Sequence, residues 1–382
     1  MGDPLDVSKN RKILYLVTED WYFLSHRLPM ARAARDQGFE VVVATRVDQG
    51  REAIENEGFR VIPLSMDRKG KNPLAELVSI FSIARIYRHE KPDIVHHVAM
   101  KPILYGSIAA WMSGVPAVVN AFAGMGYVFI SNSLLARSLR PIFILLFRFL
   151  FKQKGRVLVV QNADDMAAAK RLKLGADDKI YLIRGSGIDT EKFYPVPEPD
   201  GVPVVTLVGR MLWDKGVGEL VEAARMLKDR GVKIIVRLIG EPDPANPRTI
   251  PESTLQQWVG AGLVEWLGRR ADVAKLIQES NIVVLPSYRE GMPKSLLEGA
   301  ACERALVATD VPGCRELVTH EENGLLVPLM DAVSLADAIE RLVVDAPLRR
   351  KLAVAARHRV LSCHSDDVIA EQISGLYRGM IS

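Results

Sequence analysis

The sequence predicts an α/β protein built from two Rossmann-like, doubly wound parallel-sheet domains facing a central cleft. Three observations lead there. Apolar strand-like runs alternate with amphipathic helical runs along the chain. The alternation halts in a proline-rich segment near residue 195 and then restarts. A length of 382 residues suffices for two domains of ordinary size.

"RKILYLV" opens the chain as a buried strand, "SHRLPMARAARDQG" follows as a helix closed by Gly38, and "FEVVVAT" is the next strand. The pattern continues through "FRVIPL", the helix around "LAELVSIFSIARIYRHE", "DIVHHV", "GSIAAWMSG", "PAVVNAF" and "RVLVVQN". Strands separated by helices imply parallel pairing. The stretch from Tyr194 to Pro203 holds four of the 21 prolines and reads as an interdomain linker. Beyond it "VVTLVGR", "GELVEAARMLKDRG", "KIIVRLIG", "VEWLG", "IVVLPS" and "ALVAT" repeat the alternation. Ligands of such sheets bind at the carboxyl ends of the strands.

Composition narrows the function. The chain is 48% hydrophobic and 25% charged, a soluble globular balance. Cys302, Cys314 and Cys363 lack metal-ligand spacing and suit a reducing cytosol. "MGDPLDVSKNRKILYLV" has too short an apolar run for a signal peptide, and no stretch reaches the roughly 18 apolar residues of a membrane span. No GxGxxG follows the first strand, and Gly209, Gly216 and Gly218 are wrongly spaced for one, which argues against nicotinamide cofactors.

The net charge of +4 is mild but unevenly spread: no acidic residue lies between Asp93 and Asp164. Arg137, Arg140, Arg148, Lys152, Lys154 and Arg156 there surround "PIFILLFRFLF", residues 141–151. A buried core helix is one reading. A helix lying in an anionic membrane surface is the other, and it accounts for the cations. Nucleic acid fits poorly, since interleaved polar and aromatic contact residues are missing.

The chemistry concentrates in the second half. Arg210 ends its first strand, and Lys215 precedes Gly216 and a helix, so two cations at one strand-to-helix turn can reach a diphosphate together. In "REGMPKSLLEGA", Glu290 and Glu298 stand eight residues apart around Pro293, which fits the first turn of a helix after the strand "NIVVLPS". Free N–H groups at that helix start make an anion site. At about 1.5 Å per residue the two glutamates lie on the order of 10 Å apart, comparable to a nucleotide-sugar. Two solvated glutamates and lone surface cations are the plain alternative.

"VGRMLWDKG", "PSYREGMPKSLLEGAACERALVATDVPGCRELV" and "ENGLLVP" closely resemble the retaining family 4 glycosyltransferases of the GT-B fold, and Glu290 to Glu298 matches that family's E-x7-E motif. "GSGIDTEKFYP" and "RKGKNPLAELVSIFSIARIYRHEKPDIVHHVAMKP" extend the resemblance over most of the chain, towards the subgroup that builds bacterial surface polysaccharides on a lipid diphosphate. The resemblance implies an acceptor-binding domain over 1–195, with a C-terminal helix at about 366–382 packing back on it, and a donor-binding domain over 196–365. Glu290 would accept hydrogen bonds from the donor sugar and Glu298 would bind the ribose. Arg210 and Lys215, after Gly209, would hold the diphosphate and stabilise the leaving charge in place of a metal. Backbone groups of Gly291, Met292, Pro293, Lys294 and Ser295 would complete the cradle, and Leu267 and Gly268 would read the base. No DxD-type metal motif accompanies these residues, so no metal and no cofactor is expected.

Many relatives carry a catalytic histidine after the strand read here as "AVVNAF"; this chain has Asn120 and Ala123 there. His26, His96 and His97 are the remaining candidates for orienting the acceptor, with Lys101, Arg68, Lys69 and Lys71 for its diphosphate. The expected activity is transfer of a sugar from a nucleotide-sugar, a UDP-sugar above all, with retention, to a polyprenyl-diphosphate-linked saccharide at the cytoplasmic face of the membrane. A nucleotide-sugar epimerase and a non-catalytic nucleotide-sugar-binding subunit are the alternatives.

Overall fold

The computed structural model describes residues 11–66, 73–124 and 134–381. They form two compact units, 1–187 with 367–382, and 188–366. In the first, strands β1 (Lys12–Glu19), β2 (Glu40–Arg46), β3 (Arg60–Pro63), β4 (Ile94–Val98), β5 (Ala117–Ala121), β6 (Arg156–Val160) and β7 (Ile180–Leu182) make a parallel sheet of order β3-β2-β1-β4-β5-β6-β7. In the second, β8 (Val204–Val208), β9 (Ile235–Ile239), β10 (Glu265–Trp266), β11 (Ile282–Leu285), β12 (Ala305–Thr309) and β13 (Leu325–Val327) are ordered β10-β9-β8-β11-β12-β13. The order reverses between β1 and β4, and again between β8 and β11. Those switch points put ligand crevices at the carboxyl ends of the strands.

Continuous apolar strands are needed because both sheet faces are covered. On β1, Ile13, Tyr15 and Val17 join one core, while Leu14 and Leu16 join another on the opposite face. The second sheet does the same: Val205 and Leu207 pack in one core, Val283 and Leu285 in another.

Three local readings change. The single helix expected over "SHRLPMARAARDQG" is instead two, Asp20–His26, which starts directly after β1, and Leu28–Asp36. Buried Asp20 anchors the first by accepting from the amides of Trp21, Asp48 and Gly50 at 2.7–2.8 Å. Secondly, the division between the units falls at Gly187/Ile188, ahead of the proline-rich segment. That segment is fixed to the second unit: Arg349 Nε donates to Glu198 at 2.5 Å, Arg304 to the Val196 carbonyl at 2.9 Å and Gln278 to the Tyr194 carbonyl at 2.9 Å. Thirdly, the apolar run 141–151 belongs to the helix Leu134–Phe151, which is neither wholly core nor wholly exposed. Phe147, Leu150 and Phe151 pack inward, whereas Ile142, Leu145 and Phe149 face solvent.

The helix Asp366–Ile381 closes the first unit. Its buried Tyr377 hydroxyl lies 2.8 Å from the Tyr15 hydroxyl and 2.6 Å from His96 Nδ1.

Candidate functional site

The site develops where β8 and β11 end. After Val208 the chain passes through Gly209 and Arg210 to a short turn, Trp213–Lys215, and then enters the helix Val217–Asp229. Gly216 makes the entry with φ 72°; a Cβ there would sit 2.0 Å from the Pro286 carbonyl oxygen. This close approach ties the turn after β8 to the one after β11. Tyr288 N–H and Ser287 Oγ both donate to the Asp214 carbonyl, at 2.9 and 3.1 Å. Lys215 Nζ consequently lies 2.5 Å from Glu290 Oε1, with both side chains mostly shielded.

Glu290 is fixed from behind. Its N–H donates to the Pro312 carbonyl at 3.3 Å, and Gly313 follows with φ 86°. A Cβ on Gly313 would stand 2.6 Å from the Glu290 carbonyl oxygen. The helix behind the motif spans Lys294–Ala301, with Pro293 at its N-cap rather than inside its first turn. Lys294 and Ser295 therefore supply first-turn N–H groups that have no partner within the helix. Glu298 lies on the same helix, half-buried, and desolvation pushes its carboxyl up to about 7 against the pull of Lys294 and Lys192.

Arg210 is exposed but held: Nη1 lies 2.6 Å from Asp243 Oδ2. Asp243 is itself set by its loop, its N–H donating to Thr249 Oγ1 at 2.9 Å. Arg248 from the same loop donates to Asp214 at 2.8 Å, and Tyr288 donates its hydroxyl to Glu219 at 2.6 Å. Sequence reasoning missed Asp214, Glu219, Asp243, Arg248 and Tyr288. Their partners are 33 to 69 residues away, a separation that no local motif reveals. The acidic, proline-rich "GEPDPANPRT" after β9 was the one available signal for Asp243 and Arg248.

At the edge of this sheet Leu267 gives its N–H to the Leu238 carbonyl, and the Gly268 carbonyl accepts from Gly240 N–H at 2.8 Å. Those two groups are thus engaged in holding β9 and β10 together.

In the first unit several expectations are corrected. His97 is completely buried, with Nδ1 2.9 Å from Asn120 Oδ1 and Nε2 3.0 Å from the Tyr87 hydroxyl, so it is a satisfied core residue and cannot orient an acceptor. Burial holds it neutral, near 3. Asn120 Oδ1 also accepts from Ser107 Oγ at 3.0 Å. His96 is buried too, bonded through Nδ1 to Tyr377. His26 ends a helix rather than starting one; it stacks on Tyr22 with ring centroids 4.1 Å apart and lies 2.6 Å from Ser25 Oγ. Lys101 Nζ pairs with Glu76 at 2.8 Å. Of the cations read as membrane contacts, Arg148 turns its Nε to the Leu172 carbonyl, and Arg156 is buried on the carbonyls of Val115 and Pro116. Lys152 and Lys154 are exposed and Arg140 partly so. Arg68, Lys69 and Lys71, and the side chain of Arg137, lie outside the described residues.

Comparison with known proteins adds to this geometry. Residues 202–345 match the family model described as "Glycosyl transferases group 1", and residues 12–162 match "Glycosyl transferase 4-like". The chain is 30% identical to the N,N'-diacetylbacillosaminyl-diphospho-undecaprenol alpha-1,3-N-acetylgalactosaminyltransferase of Campylobacter jejuni, over 94% of this chain and 98% of that one. It is 26% identical to the UDP-Gal:alpha-D-GlcNAc-diphosphoundecaprenol alpha-1,3-galactosyltransferase of Escherichia coli, over 81% of each. Among solved structures, Anabaena Alr3699/HepE in complex with UDP and glucose superposes with a TM-score of 0.78, at 18% identity, over 97% of this chain and 100% of that one.

Proposed function

This chain belongs to the glycosyltransferases of the GT-B fold, and from that premise we propose that it moves a sugar from a UDP-sugar, with retention and without a metal, to a saccharide carried on a polyprenyl diphosphate. The observation that carries this reading is the joining of Arg210, Lys215, Glu290 and the Lys294–Ala301 helix start at the carboxyl ends of β8 and β11.

Each group has a task. Arg210 and Lys215 neutralise the leaving diphosphate, aided by the helix-start amides. Glu290 accepts hydroxyls of the donor sugar, and Glu298 the ribose. The C1–O bond to the diphosphate breaks as the acceptor oxygen bonds to C1 from the same face, and the acceptor proton passes to the departing phosphate oxygen. Glu290 is bound up with Lys215, which favours this single displacement over a covalent carboxylate intermediate. The Campylobacter and Escherichia relatives, both named for saccharides on an undecaprenol diphosphate, support the acceptor class.

A lipid tail requires membrane contact, and the first unit offers a surface for it. Leu74, Leu77, Val78 and Phe81 form one exposed stripe on the helix Pro73–Glu90, which packs beside Met100–Ser113. Trp111 of the latter helix meets Phe149 edge-on at 5.8 Å, and Ile142 and Leu145 continue the apolar surface. These eight side chains are 48–73% exposed. Arg85, Arg88, Lys152 and Lys154 are exposed on the same helices or just beyond them. Apolar side chains with nearby cations suit peripheral binding to an anionic bilayer at its inner face. Among the described residues no helix is long and apolar enough to cross a membrane.

The test is nucleoside diphosphate release from a panel of nucleotide-sugars, with and without a synthetic polyprenyl-diphosphate saccharide. Release that requires acceptor, with product of unchanged anomeric configuration, supports the reading. Epimerised donor, or binding without turnover, would support the alternatives.

A further inference from the structure

Arg27 is 1% exposed and forms no ion pair among the described residues. Its Nη1 donates to the His26 carbonyl at 3.1 Å and faces Met30 Sδ at 3.7 Å; its Nε has no hydrogen-bond partner. A buried guanidinium without an anion is strongly unfavourable unless something else compensates it. Arg27 lines a small recess together with His96 and Gln161, themselves 1% and 6% exposed, and with Ala121, Gly185 and Ile373. His96 Nε2 is a second buried nitrogen with no partner. The inner space amounts to about 10 Å³, room for one oxygen atom. The recess sits at the carboxyl ends of β4, β5 and β6, the edge where this kind of sheet binds ligands.

We propose that this recess receives one anionic phosphoryl oxygen, bound between Arg27 Nε–H and His96 Nε2–H. The proton pattern of the neighbouring hydrogen bonds is compatible. When Tyr377 donates to His96 Nδ1, Nε2 carries the hydrogen, so Arg27 and His96 at the recess each hold one buried N–H without an acceptor. Burial and the Arg27 charge also keep His96 neutral, so the site's fixed charge resides on Arg27 alone. Two sources supply such an oxygen: the diphosphate of a lipid-linked acceptor and that of the nucleotide. The first assignment rests on the glycosyl-transfer reading above; the recess as an oxyanion site does not.

The experiment titrates the full chain with geranyl diphosphate and, separately, with UDP, comparing wild type, Arg27→Gln and Arg27→Lys by calorimetry. Loss of one charge-assisted contact weakens binding about ten- to a hundredfold. That loss for geranyl diphosphate, with UDP unchanged, assigns the oxygen to the acceptor. The same loss for UDP alone assigns it to the nucleotide. Unchanged affinity for both overturns the proposal. Should Arg27→Gln fail to fold, nitrogen NMR of the wild type decides. The His96 Nε2 resonance must move on adding one of the two diphosphates, and a resonance that stays put at saturation of both overturns the site. An Arg27-dependent affinity in a protein that transfers no sugar would leave the oxyanion site standing and refute the transferase reading.

Discussion

Lys215 Nζ is 2.5 Å from Glu290 Oε1, so the cation assigned to the diphosphate and the carboxylate assigned to the sugar hold each other before any ligand arrives. The pair keeps both groups aimed at one place and spares either from being an uncompensated charge in a shielded site.

Breaking that pair from the acid side separates binding from turnover. Glu290→Gln is expected to lower kcat about 10²–10³-fold, while UDP affinity by calorimetry stays close to wild type. Equal, small effects on both would mean that Glu290 does not meet the reacting sugar.

Asp243 makes a second such test. Its pair with Arg210 is largely exposed and adds little to stability. Arg210→Ala should lower kcat about 10²–10³-fold, and Asp243→Asn about tenfold through loosened aim. Melting temperatures should not move. An Asp243→Asn enzyme with wild-type kcat would reduce the pair to surface decoration.

Glu298 gives a pH signature. Its carboxyl is raised to about 7 in the fold, so the native state holds a proton that the unfolded chain has released. Its contribution to stability is full below the ordinary carboxylate range and is lost as pH rises through about 7. Only the ionised form accepts from a ribose diol with both oxygens. UDP affinity should therefore rise between pH 6 and pH 8 and become flat in Glu298→Gln, as read by calorimetry across that range. A slope that survives the substitution would assign the titration to another group.

If Arg210 and Lys215 neutralise the leaving diphosphate as proposed, catalysis needs no divalent ion. Turnover of acceptor should persist after exhaustive treatment with EDTA. Loss of activity that magnesium or manganese restores would refute the metal-free mechanism.

For the membrane surface, Leu77→Glu with Leu145→Glu should abolish co-sedimentation with anionic vesicles while leaving UDP affinity and melting temperature unchanged, since both side chains are exposed. Wild-type binding should weaken as salt rises. Full co-sedimentation of the double variant would move the contact elsewhere.

Periodicity made both sheets legible, and the strand ends and helix start beside them placed Arg210, Lys215, Glu290 and Glu298 at the carboxyl edge of the second sheet, where Lys215 and Glu290 meet. What escaped depended on distant pairing. The His96–His97 doublet looked available at a strand end, yet register sends one side chain to each face of the sheet and both into packed networks. Arg148 and Arg156 counted as free positive charge until the carbonyls they serve came into view. The apolar stripe on Pro73–Glu90 reads as core by period alone; only neighbouring helices decide which side of an amphipathic element is covered.

Tyr377 has a temporal meaning as well as a spatial one. The first sheet is made early in synthesis, but the hydroxyl that bonds Tyr15 and His96 Nδ1 sits on the far side of the second unit in sequence. At ordinary elongation rates the 179 residues from Ile188 to Asp366 take roughly 10 to 40 s to make. For that interval the nascent first unit carries buried polar atoms without their partner and an uncovered apolar face where Ile369, Ile373 and Leu376 will pack. The first unit is therefore completed only after the second has been made, so a product that lacks the helix Asp366–Ile381 should be recognisable to chaperones and proteases as unfinished, even though the second unit is already made.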